Sequence, residues 1–196
     1  MHSSRPRKIT GFFFVWFVAS GLAVEVSIQR VEEQSHSSGE EPQHYIRISI
    51  NKSVYRCAIL DEWALMANVS NVHFAAFPPP GVSGMIGVRV EPCLDEGGEP
   101  LSHLTKELLD AQIKCLQPPE ARFEATLPLL DEAATTVEVE FLRIEKSQAV
   151  KCRYLFRVVQ GQLWTFVCEA SPQDYPEIHR MYCVLSGTFS PAPTDR

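Results

Sequence analysis

Hydrophobic and polar residues alternate most clearly between residues 135 and 170. In "TTVEVEF", Val137, Val139 and Phe141 fall on one side of an extended backbone, and Glu138 and Glu140 on the other. In "VKCRYLFRV", Val150, Cys152, Tyr154, Phe156 and Val158 form one side, and Lys151, Arg153 and Arg157 the other. A period of two is the pattern of a half-buried strand. The outer faces are acidic on the first strand and basic on the next, which favours pairing by a few tenths to ~1 kcal/mol per pair. These outer charges are expected to form a solvated sheet face rather than a site for an acidic ligand.

A second hairpin is predicted at Val159-Gln160-Gly161. A two-residue turn at Gln160-Gly161 would set Phe156 opposite Thr165 and Cys152 opposite Glu169. A three-residue turn would set Phe156 opposite Trp164, Tyr154 opposite Phe166 and Cys152 opposite Cys168. The longer turn keeps the apolar faces together and is the expected register, with glycine at the position that needs a positive φ. It predicts a disulfide or a close thiol pair at Cys152 and Cys168.

Further strands are expected at "YIRISI", "SVYRCAIL", "VHFAAF" and "GMIGVRVEP". Pro78 to Pro80 stop the third, and the glycines of the fourth suggest a bulge or a close backbone approach. A helix is predicted over 100–116, with Leu101, Leu104, Leu108 and Cys115 as one stripe and Leu109, Ile113 and Leu116 beside it. A closing helix should begin near Asp174, because Pro176 is tolerated only in a first turn. Asp174 and Glu177 resemble a capping box. Tyr175, Ile178, Met181, Tyr182 and Leu185 recur at helical spacing as core positions, Gly187 suits the place after the helix end, and Phe189 returns to the core.

The first two dozen residues read as an export signal. Arg5, Arg7 and Lys8 precede an uncharged stretch from Gly11 to Val24, and the apolar part is shorter than the ~20 residues of a membrane span. Small residues permit cleavage after Gly21 or Ala23, giving a signal peptide over 1–23; an uncleaved anchor is the alternative. Residues 24–42 are polar and acidic and are expected to be a flexible leader. Residues 43–190 are expected to form one domain, and 191–196 a disordered tail. Loss of residues 1–23 would remove three basic residues and no acidic ones, moving the formal charge from −6 to −9. An acidic chain without a basic stripe is a poor candidate for nucleic acid or anionic lipid.

All six cysteines, Cys57, Cys93, Cys115, Cys152, Cys168 and Cys183, lie beyond the signal. In an oxidising compartment they permit up to three disulfides, and as buried thiols they behave as small hydrophobes. Their spacing contains no C-x-x-C and predicts no metal site. The histidines show no H-x-x-x-H, and Ser83 in "GVSGMIG" does not form G-x-S-x-G. No catalytic residue and no cofactor site is nominated. Asn51 and Asn68 head glycosylation sequons, which matter only in a eukaryotic source.

Several stretches together resemble a known family. They are "CAILDEW", the strand "VRVEP", the hairpin "YLFRVVQGQLWTFVCEAS" and the close "YPEIHRMYCVLSGTF". Over about residues 45 to 190 the chain is similar to the PsbP/Mog/DcrB-like superfamily. It departs at Asp61, where proline is usual, and in its six cysteines. The resemblance implies an α+β fold, an antiparallel β-sheet with helices packed on its faces. It implies no shared catalytic motif, since known members are a photosystem accessory subunit, a Ran-binding protein and bacterial envelope proteins. The expected function is an exported, non-catalytic binding or accessory protein that presents a sheet face or groove to a protein partner. A small envelope enzyme or redox protein using a cysteine, and a small-ligand carrier, are the alternatives.

Overall fold

The computed structural model describes residues 25–33, 43–50, 53–69, 71–95, 97–116, 122–124, 134–145 and 148–192. The proposed signal peptide therefore lies outside the described residues, as do most of the leader and the last four residues.

Two antiparallel sheets and two helices make up the described chain. Strands β1 (Val26–Glu33), β2 (Gln43–Ile50) and β3 (Ser53–Ala58) form the smaller sheet, joined by β11 (Ser190–Pro191) in the order β1-β2-β3-β11. Strands β4 (Ala64–Val69), β5 (Val72–Phe77), β6 (Gly84–Pro92), β7 (Arg122–Glu124), β8 (Thr136–Glu145), β9 (Gln148–Val159) and β10 (Gln162–Ala170) form the larger one. Its order is β4-β5-β6-β10-β9-β8-β7. Helix α1 (Lys106–Leu116) and helix α2 (Tyr175–Thr188) complete the fold.

The large sheet is covered on both faces. On one, Ile46, Ile48 and Tyr55 of the small sheet and Ile178, Met181 and Leu185 of α2 pack on Phe74, Ile86, Val88, Trp164 and Phe166. On the other, Leu109 and Ile113 of α1 share a core with Val139, Phe141, Tyr154, Phe156, Leu163 and Val167. The α+β reading holds, with the addition of a second sheet.

The strand β1 runs through the segment expected to be a flexible leader, pairing with β2 from Val26↔Ile50 to Glu33↔Gln43. Val26 is buried and Ile28 packs on the core, while Gln29 and Arg30 stay exposed. The fold thus begins before residue 43. It also reaches past 190, because Pro191 pairs with Tyr55 and the Ala192 N–H donates to the Val54 carbonyl at 2.8 Å.

Helix α1 starts later than its apolar spacing suggested. The Thr105 Oγ1 accepts from the Leu108 N–H at 3.2 Å, a side-chain N-cap. The residues before it are held elsewhere: Leu101 N–H donates to the Cys93 carbonyl and Leu104 N–H to that of Ala134, each at 2.7 Å. Helix α2 begins where Pro176 required. Asp174 makes no side-chain cap bond to the helix, so the capping box is not formed. Its carboxylate accepts instead from the Ser83 N–H at 3.0 Å and the Ser171 hydroxyl at 2.8 Å, tying the helix start to the entry of β6. Gly187 lies inside the last turn rather than beyond it, and Thr188 closes the helix by bonding to the Val184 carbonyl at 2.7 Å.

The hairpin register is the main correction. Gln160 and Gly161 both have positive φ, 50° and 73°, and form a two-residue turn. That geometry matches the right-handed twist of the flanking strands. Phe156 faces Thr165, and Cys152 faces Glu169. Cys152 belongs to the core under α1 and Cys168 to the core under α2, on opposite faces of the sheet. No disulfide or thiol pair joins them. The expected register rested on keeping one apolar face together. Residues 163 to 168 are all buried, so β10 has no polar face to lose, and the turn decides instead.

At Gly161 an added Cβ would stand 2.8 Å from Pro100 Cβ, in a left-handed backbone. Gly161→Ala should therefore cost roughly 1–2 kcal/mol. A Cβ at Gly187 would meet nothing within 4 Å, and Gly187→Ala should gain about 0.5–1 kcal/mol from helix propensity. Urea unfolding of the two variants beside the parent checks both signs.

Candidate functional site

The face of the large sheet beneath α2 carries a connected set of charged and aromatic groups. Outward residues of β8 and β9 form an ion-paired ladder. Lys151 lies 3.0 Å from Glu140, and Arg153 Nε lies 3.1 Å from Glu138 and 3.8 Å from Glu140. The acidic-against-basic pairing read from the alternation is thus present. The ladder is not a bare solvated face, however, because α2 lies over part of it. The Tyr175 hydroxyl donates to Glu140 at 3.0 Å, and that of Tyr182 to Glu138 at 3.2 Å. Lys151 Nζ sits 4.2 Å over the Tyr175 ring, a cation–π contact.

Between the two tyrosines lies His179, stacked on both, with centroids 5.4 Å and 5.8 Å apart. Its Nε2 is in contact with the Arg153 guanidinium and lies 3.6 Å from Cys183 Sγ. Cys183 is exposed. The spacing of Tyr175, His179 and Cys183, four residues apart on one helix, places them in one row. That spacing was visible in the sequence, but only the tertiary fold brings Arg153 beneath it.

The electrostatics follow from partial burial and these partners. Desolvation works to raise the Glu140 carboxyl, but the Lys151 and Tyr175 hydrogen bonds outweigh it and hold it below its usual range. Desolvation, and then the Arg153 charge, lower His179 and keep it neutral. Burial raises the Tyr175 and Tyr182 hydroxyls, so both remain donors. Burial pushes the Cys168 thiol up to about 12, with the nearby Cys183 adding to the shift and Arg153 opposing it.

A second polar group lies on the other face of the sheet. Arg143 continues the inward row of Val137, Val139 and Phe141 and is 4 % exposed. Its Nη1 and Nη2 each lie 2.8 Å from an oxygen of Glu169, and the Tyr154 hydroxyl donates to the same carboxylate at 2.7 Å. The alternation that marks the strand already assigns Arg143 to the core row, but its partner Glu169 could be placed only once the β9–β10 register was known. The opposite case is on the outside. Leu142 and Ile144, where the alternation expects polar residues, are 49 % and 44 % exposed. Elsewhere, the Val90 N–H donates to His73 Nδ1 at 3.2 Å beside the Arg89–Glu91 ion pair, and desolvation lowers His73. Among the described residues no group of three or more His, Cys, Asp or Glu is placed to hold a metal ion. Nor is any helix there long and apolar enough to cross a membrane.

No protein-family model matches the chain, and no curated protein matches it. Two of the solved structures that are similar in outline illustrate the likeness. One is cyanobacterial PsbP (CyanoP) from Synechocystis sp. PCC 6803, with 12% identity and a TM-score of 0.48, covering 90% of this chain and 97% of that one. The other is LpqN, involved in cell envelope biogenesis of Mycobacterium tuberculosis, with 10% identity and a TM-score of 0.44, covering 86% and 92%. The fold itself is defined by the strand order and register given above: an antiparallel α+β domain of two sheets, closed by a C-terminal helix.

Two predictions follow from these networks. Arg143→Ala would leave the partly buried Glu169 carboxylate without its ion partner and should cost about 1–3 kcal/mol, whereas a double Arg143→Met, Glu169→Leu change should cost less. A double-mutant cycle in urea measures the difference. Stability should also fall on acidification. His73 and His179 have folded pKa values below the ordinary 6.5, so the unfolded chain takes up protons first as the pH drops through that value. Glu140 has a folded value below 4.5, and its contribution is full above that value and lost as the pH falls through the folded one. His179→Gln should lessen the slope of a pH–melting curve between pH 7 and 5, leaving the His73 share and the Glu140 part in place.

Proposed function

We propose that the chain is an exported, non-catalytic binding module that docks a protein partner on the face formed by β8, β9 and α2. The observation that carries this reading is the exposure of Leu142 and Ile144 on the outward row of β8, directly beyond Glu138 and Glu140. Outward positions of a sheet normally carry polar residues, and two adjacent large aliphatics there form a patch that gains by being covered. The flanking ladder supplies what an interface rim requires. Glu140, Lys151 and Arg153 are oriented by mutual pairing and by Tyr175, so little side-chain freedom is lost on association. The partner that fits is an apolar protein surface bordered by charges of both signs. Export is supported by the basic and apolar pattern of residues 5 to 24.

Photo-crosslinking in the native cell tests this. A crosslinker at Leu142 should give one or a few discrete protein adducts, abolished by Ile144→Glu. The same crosslinker at Leu60, which is 41 % exposed beyond the end of β3, should not give them. Ile144→Glu should change stability by less than about 0.5 kcal/mol, since the site is exposed. Identical adducts from both positions, or none from Leu142, would reject the reading.

A further inference from the structure

A sheet that ends in an open strand offers a row of unpaired backbone N–H and C=O groups to any second strand. Proteins usually blunt such edges with charge, proline or shortness. Among the described residues the two sheets end in four strands, and three of these are blunted in those ways. Strand β1 carries Arg30, Glu32 and Glu33; β11 is two residues long and contains Pro191; β7 is three residues long and contains Arg122 and Glu124. The stretch of β8 that β7 does not pair carries Glu138 and Glu140. Strand β4 is the exception. It runs over six residues, Ala64–Val69, with neither charge nor proline.

On one side β4 pairs with β5, from Ala64↔Phe77 to Val69↔Val72, and on the other it ends the large sheet. Strand β1 meets its inner face rather than its edge. There Ile28, Leu65 and Ala67 pack on one core, and Arg30 reaches Asp61 and the Trp63 carbonyl just before β4 begins. On the opposite face Met66 is 52 % exposed. Asn68 has a φ of 53°, which breaks the extended backbone, so the regular stretch of the edge runs from Ala64 to Ala67.

We propose that β4 pairs with β4 of a second copy of this chain, antiparallel and about a twofold axis normal to the sheet, as a weak dimer. A row of backbone donors and acceptors is satisfied in full by another extended strand, which sets the kind of occupant. The guards on the other edges are those that prevent pairing between identical chains, and this edge alone lacks them. An axis through Met66 sets Met66 against its own counterpart and Leu65 against Ala67 of the second copy. A large side chain thus meets a small one on the inner face, and no like charges are brought together. The pairing extends the core at Ile28, Leu65 and Ala67, which a single copy leaves partly buried. So short an edge buries less than the ~1,200 Å² of a standard interface, which makes the dimer concentration-dependent. Each copy has a formal charge of −6, so the copies repel at long range and salt strengthens the pairing. Strands β8 and β9 lie toward the other end of the sheet, and the pairing does not depend on docking there.

Sedimentation equilibrium of the purified full chain tests this, with mass followed against concentration and salt. The mass should rise from monomer to dimer with concentration, and rise further with added salt. Met66→Lys should raise the dissociation constant roughly tenfold or more, while leaving the melting temperature of the dilute monomer unchanged, since the residue is exposed. Ile144→Ser, on the docking face, should leave the dimer as it is, which separates failure of this proposal from failure of the docking reading. In the native cell, a photo-crosslinker at Met66 should give one dimer-sized adduct, mapped to residues 65–67 of a second copy. A monomer at every concentration up to the solubility limit, a dimer that Met66→Lys leaves intact, or a crosslink from Met66 to a different protein would overturn the proposal.

Discussion

Strand β10 is covered on both faces, and the rest of the molecule is arranged around that constraint. Trp164, Phe166 and Cys168 lie under α2 and the small sheet, while Leu163 and Val167 lie under α1. Such a strand carries no polarity that tells it which way to face. The direction of its side chains comes from its turn, where Gln160 and Gly161 adopt left-handed backbone and set a two-residue connection. One residue more in that turn would exchange the two cores.

The position of α2 depends on the same strand. Gly84 in β6 leaves room that no side chain could share, since an added Cβ would come within 2.6 Å of the Glu169 carbonyl oxygen and 3.0 Å of Ile178. The Asp174 carboxylate fixes the helix start against Ser83, and Thr188 fixes its end by accepting from the Ala58 N–H at 2.9 Å. Held at both ends, α2 has one row left to face the outer ladder of β8 and β9. That row is Tyr175, His179, Tyr182 and Cys183. The charged face, the aromatic row and the thiol are thus products of one packing arrangement.

Much of this was legible in the sequence where a strand has one wet face. The alternation over 137–141 placed Val137, Val139 and Phe141 inward and Glu138 and Glu140 outward, as the structure has them. The core row of α2 was equally plain, because its apolar residues recur at helical spacing. Sequence reasoning failed where tertiary contacts override local pattern. Strand β1 is polar enough to look like a linker, and only pairing with β2 makes it a strand. Residues 100–104 carry leucines at helical spacing, yet bonds to Cys93 and Ala134 hold them out of α1. At the candidate site the histidine and cysteine of α2 could be read from their four-residue spacing. Arg153 could not be joined to them until the fold was known.

The buried group on the opposite face has a consequence for how the strands find each other. Arg143, Tyr154 and Glu169 come from β8, β9 and β10, so one ion pair spans three neighbouring strands with a hydroxyl in the middle. If β9 slid by a single residue, Tyr154 would turn to the other face and the pair would lose its shared donor. If β8 or β10 slid, an arginine or a glutamate would be stranded in an apolar core. Strand β10 has little hydrophobic reason to reject such a slip, because residues 163 to 168 are buried on both of its faces. The charge pair makes it expensive, so the alignment of that strand is proofread by electrostatics where hydrophobicity is indifferent.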